Sequence, residues 1–191
     1  FLADLSDFFY FDEVWREYFP TPPPRTTVGT PGLLADGARI LVDVVALADR
    51  SQPITVVTSQ GPRPMAHYSE AFRVGPWVFA AGQIASDYRT GVPPEARVSD
   101  AFPYYGIPIK RQTEYILRNL EKTLQAAGSS LDSVVKAQVF LEDITHFSAF
   151  DEVWKTFFPE PLPRSVVGTT NLLVPGTLIE IDLTALVGRH A

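Results

Sequence analysis

Residues 1–15 read FLADLSDFFYFDEVW, and 139 positions later residues 140–154 read FLEDITHFSAFDEVW. The correspondence runs on without a gap. PTPPPRTTVGT at 20–30 answers PEPLPRSVVGT at 159–169, and ILVDVVAL at 40–47 answers IEIDLTAL at 179–186. Between Phe1–Leu47 and Phe140–Leu186, 24 of 47 positions are identical, far beyond what unrelated segments share. Self-similarity on this scale decides architecture before any local propensity does. The chain therefore reads as the C-terminal half of a first repeat at 1–49 and a complete repeat at 65–191. Between them, 50–64 is a connection punctuated by Ser51-Gln52-Pro53 and Gly61-Pro62-Arg63-Pro64.

The complete copy has a mixed pattern. Phe72–Val74 and Trp77–Ile84 predict a hairpin about Gly75-Pro76. Ile116, Leu120 and Leu124, spaced by four, predict a helix over Lys110–Ala127 that stops at Gly128. Val134–Leu141 predicts a strand. Phe147, Phe150, Trp154 and Phe157 predict a second helix, ended by Pro159, with its aromatics in the core. Arg164–Val167 and Thr177–Leu186 predict strands, the latter alternating Ile179, Ile181 and Leu183 with Glu180, Asp182 and Thr184. The order ββ-α-β-α-ββ places the chain in the α+β class, one sheet backed by two helices on a single face. The first copy lacks the hairpin and the first helix, so its half-sheet leaves an unpaired edge and an uncovered apolar face. An unseen N-terminal segment or another chain is expected to complete it.

Composition narrows the partners. A net charge of −6 without a long basic run argues against nucleic acid, a ribonuclease role and anionic membranes. The absence of cysteine excludes disulfides, thiolate metal sites and a cysteine nucleophile, and fits a reducing, cytoplasmic setting. No apolar stretch approaches the ~18 residues that span a bilayer. With Asp4 and Asp7 and no basic region, the first residues are not expected to be a signal peptide. The missing initiator Met points to a processed, truncated or partly observed product. His67, His146 and His190 fall at no ligand spacing, so no metal site is expected.

Four stretches in order, AHYSEAFRVGPWVFAAGQI (66–84), LEKTLQAAGSSLDSVVKAQVFLEDITHFSAFDEVW (120–154), PLPRSVVG (161–168) and LIEIDLTAL (178–186), resemble the RidA (YjgF-like) imine/enamine deaminase family. The resemblance covers about 65–187. It implies a chorismate-mutase-like ββαβαββ fold in trimeric or pseudo-trimeric packing, a homo-oligomer with its sites in clefts between neighbouring domains. It also implies hydrolysis of reactive imines or enamines to ammonia and a 2-keto acid, without a cofactor. Residue by residue, it makes Arg164 the clamp on the substrate carboxylate and Glu180 and Tyr68 the catalytic pair. Ala81 and Gly82 supply backbone to the substrate.

The chemistry of the residues agrees in part. A guanidinium fork matches two carboxylate oxygens, and Pro163 gives Arg164 a rigid mount at a strand start. Glu180, on the face opposite the isoleucines, can serve as a general acid/base for water attack on C=N if partly desolvated. Arg164 recurs as Arg25, a further candidate for substrate binding. The plainer readings are a surface ion pair for Arg164, a solvated strand position for Glu180 and simple packing for Tyr68. Asp12 and Asp151, in matching helices, read as helix-start caps.

Three departures from the family pattern stand out. Ala81 replaces a serine, Val166 makes the pocket more apolar, and Leu41 stands where the second copy has Glu180, so a first-repeat site is expected to bind without turnover. The insertion at 86–110 is long enough to be functional, and Phe102-Pro103-Tyr104-Tyr105 reads either as a lid or as packing on a neighbour. The expected function is a hydrolase or deaminase of a small carboxylate-bearing C–N substrate. The alternatives are a catalytically silent metabolite binder or a chorismatase-like hydrolase or lyase, which would need further basic residues around a dicarboxylate.

Overall fold

A computed structural model of the chain describes residues 1–49, 51–104 and 106–188. His190 and Tyr105 lie outside the described residues. The strands are β1 (Ile54–Val57), β2 (Ala71–Val74), β3 (Trp77–Ala80), β4 (Gln83–Ile84), β5 (Val134–Leu141), β6 (Arg164–Gly168) and β7 (Ile179–Leu186). They form one sheet in the order β1-β2-β3-β7-β5-β6, with β4 also paired to β7. Only β5 and β6 run parallel, as a helical crossover requires. The helices are α1 (Phe8–Tyr18), α2 (Pro108–Ala126) and α3 (Phe147–Phe157). The fold is the α+β sheet with helices that the element order predicts.

Periodicity explains the core. Along β7, Ile179, Ile181, Leu183 and Ala185 are buried and meet Ile116, Leu117, Leu120 and Leu124 of α2 and Phe150 and Trp154 of α3 in one cluster. Each such aliphatic side chain contributes roughly 1.5–3 kcal/mol when fully buried. Pro108 opens α2, where its fixed φ suits the first turn. Gly128 closes it at φ +78°, a conformation that glycine adopts without strain.

Local differences from the expected pattern have physical causes. The strand expected over 77–84 breaks at Ala81-Gly82, where the pairing with β7 shifts by one residue: Phe79 lies opposite Thr184 but Gln83 lies opposite Ile181. The last strand begins at Ile179, and α2 begins two residues before Lys110. The connection expected over 50–64 contains β1, whose β-branched ITVV pairs antiparallel with β2, Ile54 opposite Val74. It is an edge strand, with Ile54 and Val56 exposed.

In the first copy, α1 occupies the residues that correspond to α3, each preceded by a 3-10 turn. Asp4 and Asp143 cap those turns by accepting the Ser6 and Thr145 N–H groups at 2.8 Å. Asp12 and Asp151 are therefore not caps; they lie inside the helices. Residues 25–29 and 40–47, the counterparts of β6 and β7, form no strands. Leu2 alone makes isolated bridges, to Gly29 and to Ile40. Val42, Val44 and Val45 are more than half exposed, since no neighbouring strand lies beside them.

Candidate active site between the two repeats

The proline-rich run 20–24 folds Arg25 back onto α1. Its Nη2 donates to Asp12 Oδ1 at 2.8 Å. The guanidinium lies 5.0–5.4 Å from the ring centroids of Phe8, Phe11 and Trp15, within cation–π range. Burial works to raise the Asp12 pKa, but Arg25, the His67 N–H and Arg16 outweigh it and hold the carboxyl below its usual range. The second copy repeats the arrangement: Arg164 Nη2 donates to Asp151 Oδ1 at 2.7 Å among Phe147, Phe150 and Trp154.

The two boxes differ in what faces them. The first copy's box docks on the second repeat. Ser69 Oγ donates to the Pro22 carbonyl at 2.6 Å, Thr26 Oγ1 donates to Asp182 Oδ2 at 2.9 Å, and the Gly29 N–H donates to the Asn171 carbonyl at 3.2 Å. A β-carbon on Gly29 would come within 2.9 Å of Thr170 Oγ1, whereas one on the matching Gly168 would meet only Ile144, at 3.7 Å. Close approach is thus imposed at the junction of the repeats and absent from the outward-facing copy.

Glu180 sits in this junction. It lies on the β7 face opposite Ile179 and Ile181, yet it is only 4 % exposed, because Thr26 and Gly82 close over it. Burial pushes its pKa up to about 8, and the nearby Asp182 charge adds to the rise; the Thr27 N–H and Arg25 pull the other way. Glu180 Oε2 and Arg25 Nη1 are both buried without a hydrogen-bond partner. Buried polar atoms without a partner are costly; Arg164 Nη1 is another, but Arg25 Nη1 shares its junction with a carboxyl group. Tyr68 completes the wall, its ring centroid 5.8 Å from the Arg25 guanidinium and its hydroxyl donating to Tyr88 Oη at 3.2 Å. Burial raises its phenol to about 12, so it is a neutral donor at physiological pH.

Gly82 has a specific reason to lack a side chain: a β-carbon there would overlap Glu180 Oε1 and come within 2.8 Å of Thr26 Cγ2. Gly82→Ala is therefore expected to push the carboxylate aside. A displacement of about 1 Å costs on the order of 100-fold in rate, to be read as kcat with a melting curve showing that the fold is retained. Ala81 lies beside it, buried, with its N–H already committed to Glu70.

Within this chain, the arginine whose charge acts on Glu180 is Arg25. Arg164, the clamp that the family resemblance implies, is turned to Asp151, its side chain 17 % exposed against 6 % for Arg25. Two residues after Arg25 stands Thr27, so the hydroxyl-bearing position that Val166 seemed to lose is present at the junction. Phe102 and Tyr104 are well exposed; among the described residues of the insertion, Tyr88 reaches the junction. Sequence reasoning missed Asp12, Thr26, Thr27 and Tyr88. Asp12 had a readable signal, since an aspartate precedes the arginine by 13 residues in both copies.

Elsewhere, the groove between α2 and α3 is bridged by the Lys110–Glu152 ion pair and lined by an Arg118–Glu114 pair within α2, and it holds none of the candidate residues. Among the described residues, no group of three or more histidines and carboxylates could hold a metal ion, and no helix is long and apolar enough to cross a membrane.

The family model for Endoribonuclease L-PSP matches residues 58–187. A RutC family protein of Pyrococcus horikoshii is 36% identical over 130 residues, covering 68% of this chain and 94% of that protein. A rat 2-iminobutanoate/2-iminopropanoate deaminase is 31% identical over 133 residues, 70% of this chain and 89% of its own length. Among solved structures, RidA from an Antarctic Psychrobacter superposes with a TM-score of 0.58 at 29% identity, over 70% of this chain and 99% of that one.

Proposed function

Since the chain belongs to the endoribonuclease L-PSP family, the RidA-like proteins, we propose that it hydrolyses a small carboxylate-bearing imine or enamine without a cofactor, at the junction of its repeats. The observation that carries this reading is the pair of buried, unpartnered atoms, Arg25 Nη1 and Glu180 Oε2. Together they ask for a ligand with an anionic group at one end and a polar or cationic group at the other. An iminium carboxylate such as 2-iminopropanoate has that charge pattern, and relatives named as deaminases of 2-iminobutanoate and 2-iminopropanoate favour the same class.

In this reading Arg25 holds the carboxylate, already oriented by Asp12 and by the rings around it. Glu180 takes a proton from water as the oxygen adds to the C=N carbon. The nitrogen of the resulting carbinolamine is then protonated, the C–N bond breaks, and ammonia leaves with a 2-keto acid behind. Tyr68, its own proton held by Tyr88 Oη, presents its oxygen as an acceptor for the substrate nitrogen. The acidic net charge of −6 and the commitment of Arg25 to Asp12 speak against RNA phosphate as substrate. The Arg164 box, built like the first but with its arginine more exposed, suits a neighbouring domain in a homo-oligomer.

The test is ammonia release from freshly generated 2-aminoacrylate, which tautomerises to the imine. Because Glu180 must be ionised to accept a proton, kcat/KM is expected to rise about tenfold per pH unit below 8 and to level off above it. No release above buffer at any pH would sink the deaminase reading. A rate that falls as pH rises through 8 would recast Glu180 as the proton donor.

A further inference from the structure

The residue that stands out beyond this machinery is Tyr88. It is the only non-glycine residue with positive φ among the described residues, at +56°, a conformation that bulky side chains adopt at a cost. Strain of this kind persists only where the surroundings enforce it, and it gathers at functional sites. Here the enforcement is visible on both sides of the residue. The Tyr88 N–H donates to Ser86 Oγ at 2.9 Å. The Asp87 carboxylate accepts the Arg89 and Thr90 N–H groups at 2.8 and 2.7 Å and the Thr90 hydroxyl at 2.6 Å. The Asp87 N–H closes the turn on the Gly91 carbonyl at 3.1 Å.

This pinned turn has one evident product. It lays the Tyr88 ring against the small cluster of Val28, Ile84, Phe140 and Leu172, which joins the two repeats, and brings its hydroxyl to 3.2 Å from that of Tyr68. Tyr68 in turn lies over Arg25. A ring placed only for packing needs no hydroxyl at that point, and a turn placed only for connection needs no aromatic at positive φ.

We infer that Tyr88 is a positioning residue of the junction site: its hydroxyl accepts the Tyr68 proton and so holds the Tyr68 oxygen in place, as an acceptor, before substrate arrives. The inference rests on the deaminase reading only for its effect on rate; the phenol pair itself exists or fails without substrate. With the Tyr68 proton engaged by Tyr88, the Tyr68 oxygen stays fixed and free to accept a hydrogen bond. The turn Ser86–Gly91 then acts as a rigid mount supplied by the insertion.

The experiment uses the whole chain with tyrosine labelled at the ring carbon that bears oxygen. Tyr88→Phe keeps the ring and its packing and removes only the hydroxyl. The Tyr68 resonance is expected to move in Tyr88→Phe, and the Tyr88 resonance in Tyr68→Phe, in the absence of any ligand. With 2-aminoacrylate, Tyr88→Phe is expected to lose about 3–10-fold in kcat, the worth of one hydrogen bond, with KM changed less than about twofold. A Tyr68 resonance that stays in place, or a wild-type kcat in Tyr88→Phe, would overturn the inference. Failure of the wild type to release ammonia would strike the deaminase reading alone, since the resonances are read without substrate.

Discussion

Glu180→Gln is expected to lose about 10²–10⁴-fold in turnover while melting at a higher temperature than the wild type above pH 8. The two effects have one cause. Burial lifts the Glu180 pKa from 4.5 to about 8, so between those values the folded protein holds a proton that the unfolded chain has released. This group's contribution to stability is therefore whole below pH 4.5. It is lost as pH rises, at about 1.4 kcal/mol per pH unit, until ionisation is complete. Beyond pH 8 the buried carboxylate costs roughly 3–5 kcal/mol, a figure on that same scale. Glutamine keeps the shape and carries no charge at any pH.

Melting curves at pH 4.5, 7 and 9 decide the point. The gap between variant and wild type should be near zero at the lowest pH and widest at the highest. Equal melting temperatures at pH 9 would mean that the carboxylate reaches water, and the argument for a desolvated base would go with it. Loss of turnover without the alkaline gain in stability would leave Glu180 as a binding group only.

Much of this arrangement could be read from the residues, and the part that could not has a clear physical reason. The alternation in IEIDLTAL put Glu180 on the face away from the isoleucines, where the structure has it. It could not say that this face is covered, because the cover comes from Thr26 and Thr27, more than 150 residues away in sequence. The repeat showed that Arg25 and Arg164 are equivalent by descent of pattern, but their surroundings differ only through docking. Each sits in the same box of aspartate and three rings. What separates them is whether a Tyr68 and a Glu180 lie opposite, and periodicity carries no information on that. Tyr88 was hidden for a different reason: positive φ in a non-glycine residue runs against every local preference, so only the assembled turn could place it there. Asp12 was misread because a carboxylate near a helix start has a common role, and its match with Asp151, each 13 residues before an arginine, pointed to the ion pair instead.

The division between the two arginines gives the second large effect. Arg25→Lys keeps the charge beside Asp12 but gives up the fork, so the fold is spared the roughly 3–5 kcal/mol that removing one partner of a buried pair costs. A lysine ammonium cannot hold Asp12 and a substrate carboxylate in the planar geometry that a guanidinium offers. The lost charge-assisted hydrogen bond is worth about 1.5–3 kcal/mol, so kcat/KM should fall about 10–100-fold, mostly through KM. Arg164→Lys, whose guanidinium is turned to Asp151 on the outward face, should leave kcat/KM within about twofold of the wild type. The comparison is informative in both directions because the two variants are chemically identical and occupy equivalent boxes. If Arg164→Lys loses the activity and Arg25→Lys keeps it, Glu180 is served by the arginine of another copy, and the docking of the first repeat is not the working arrangement. If both lose it, each box holds a working site, and the open Arg164 face must meet a Tyr68 and a Glu180 from a neighbour. Only the first pattern, loss in Arg25→Lys alone, fits a chain whose own two repeats close one complete site between them.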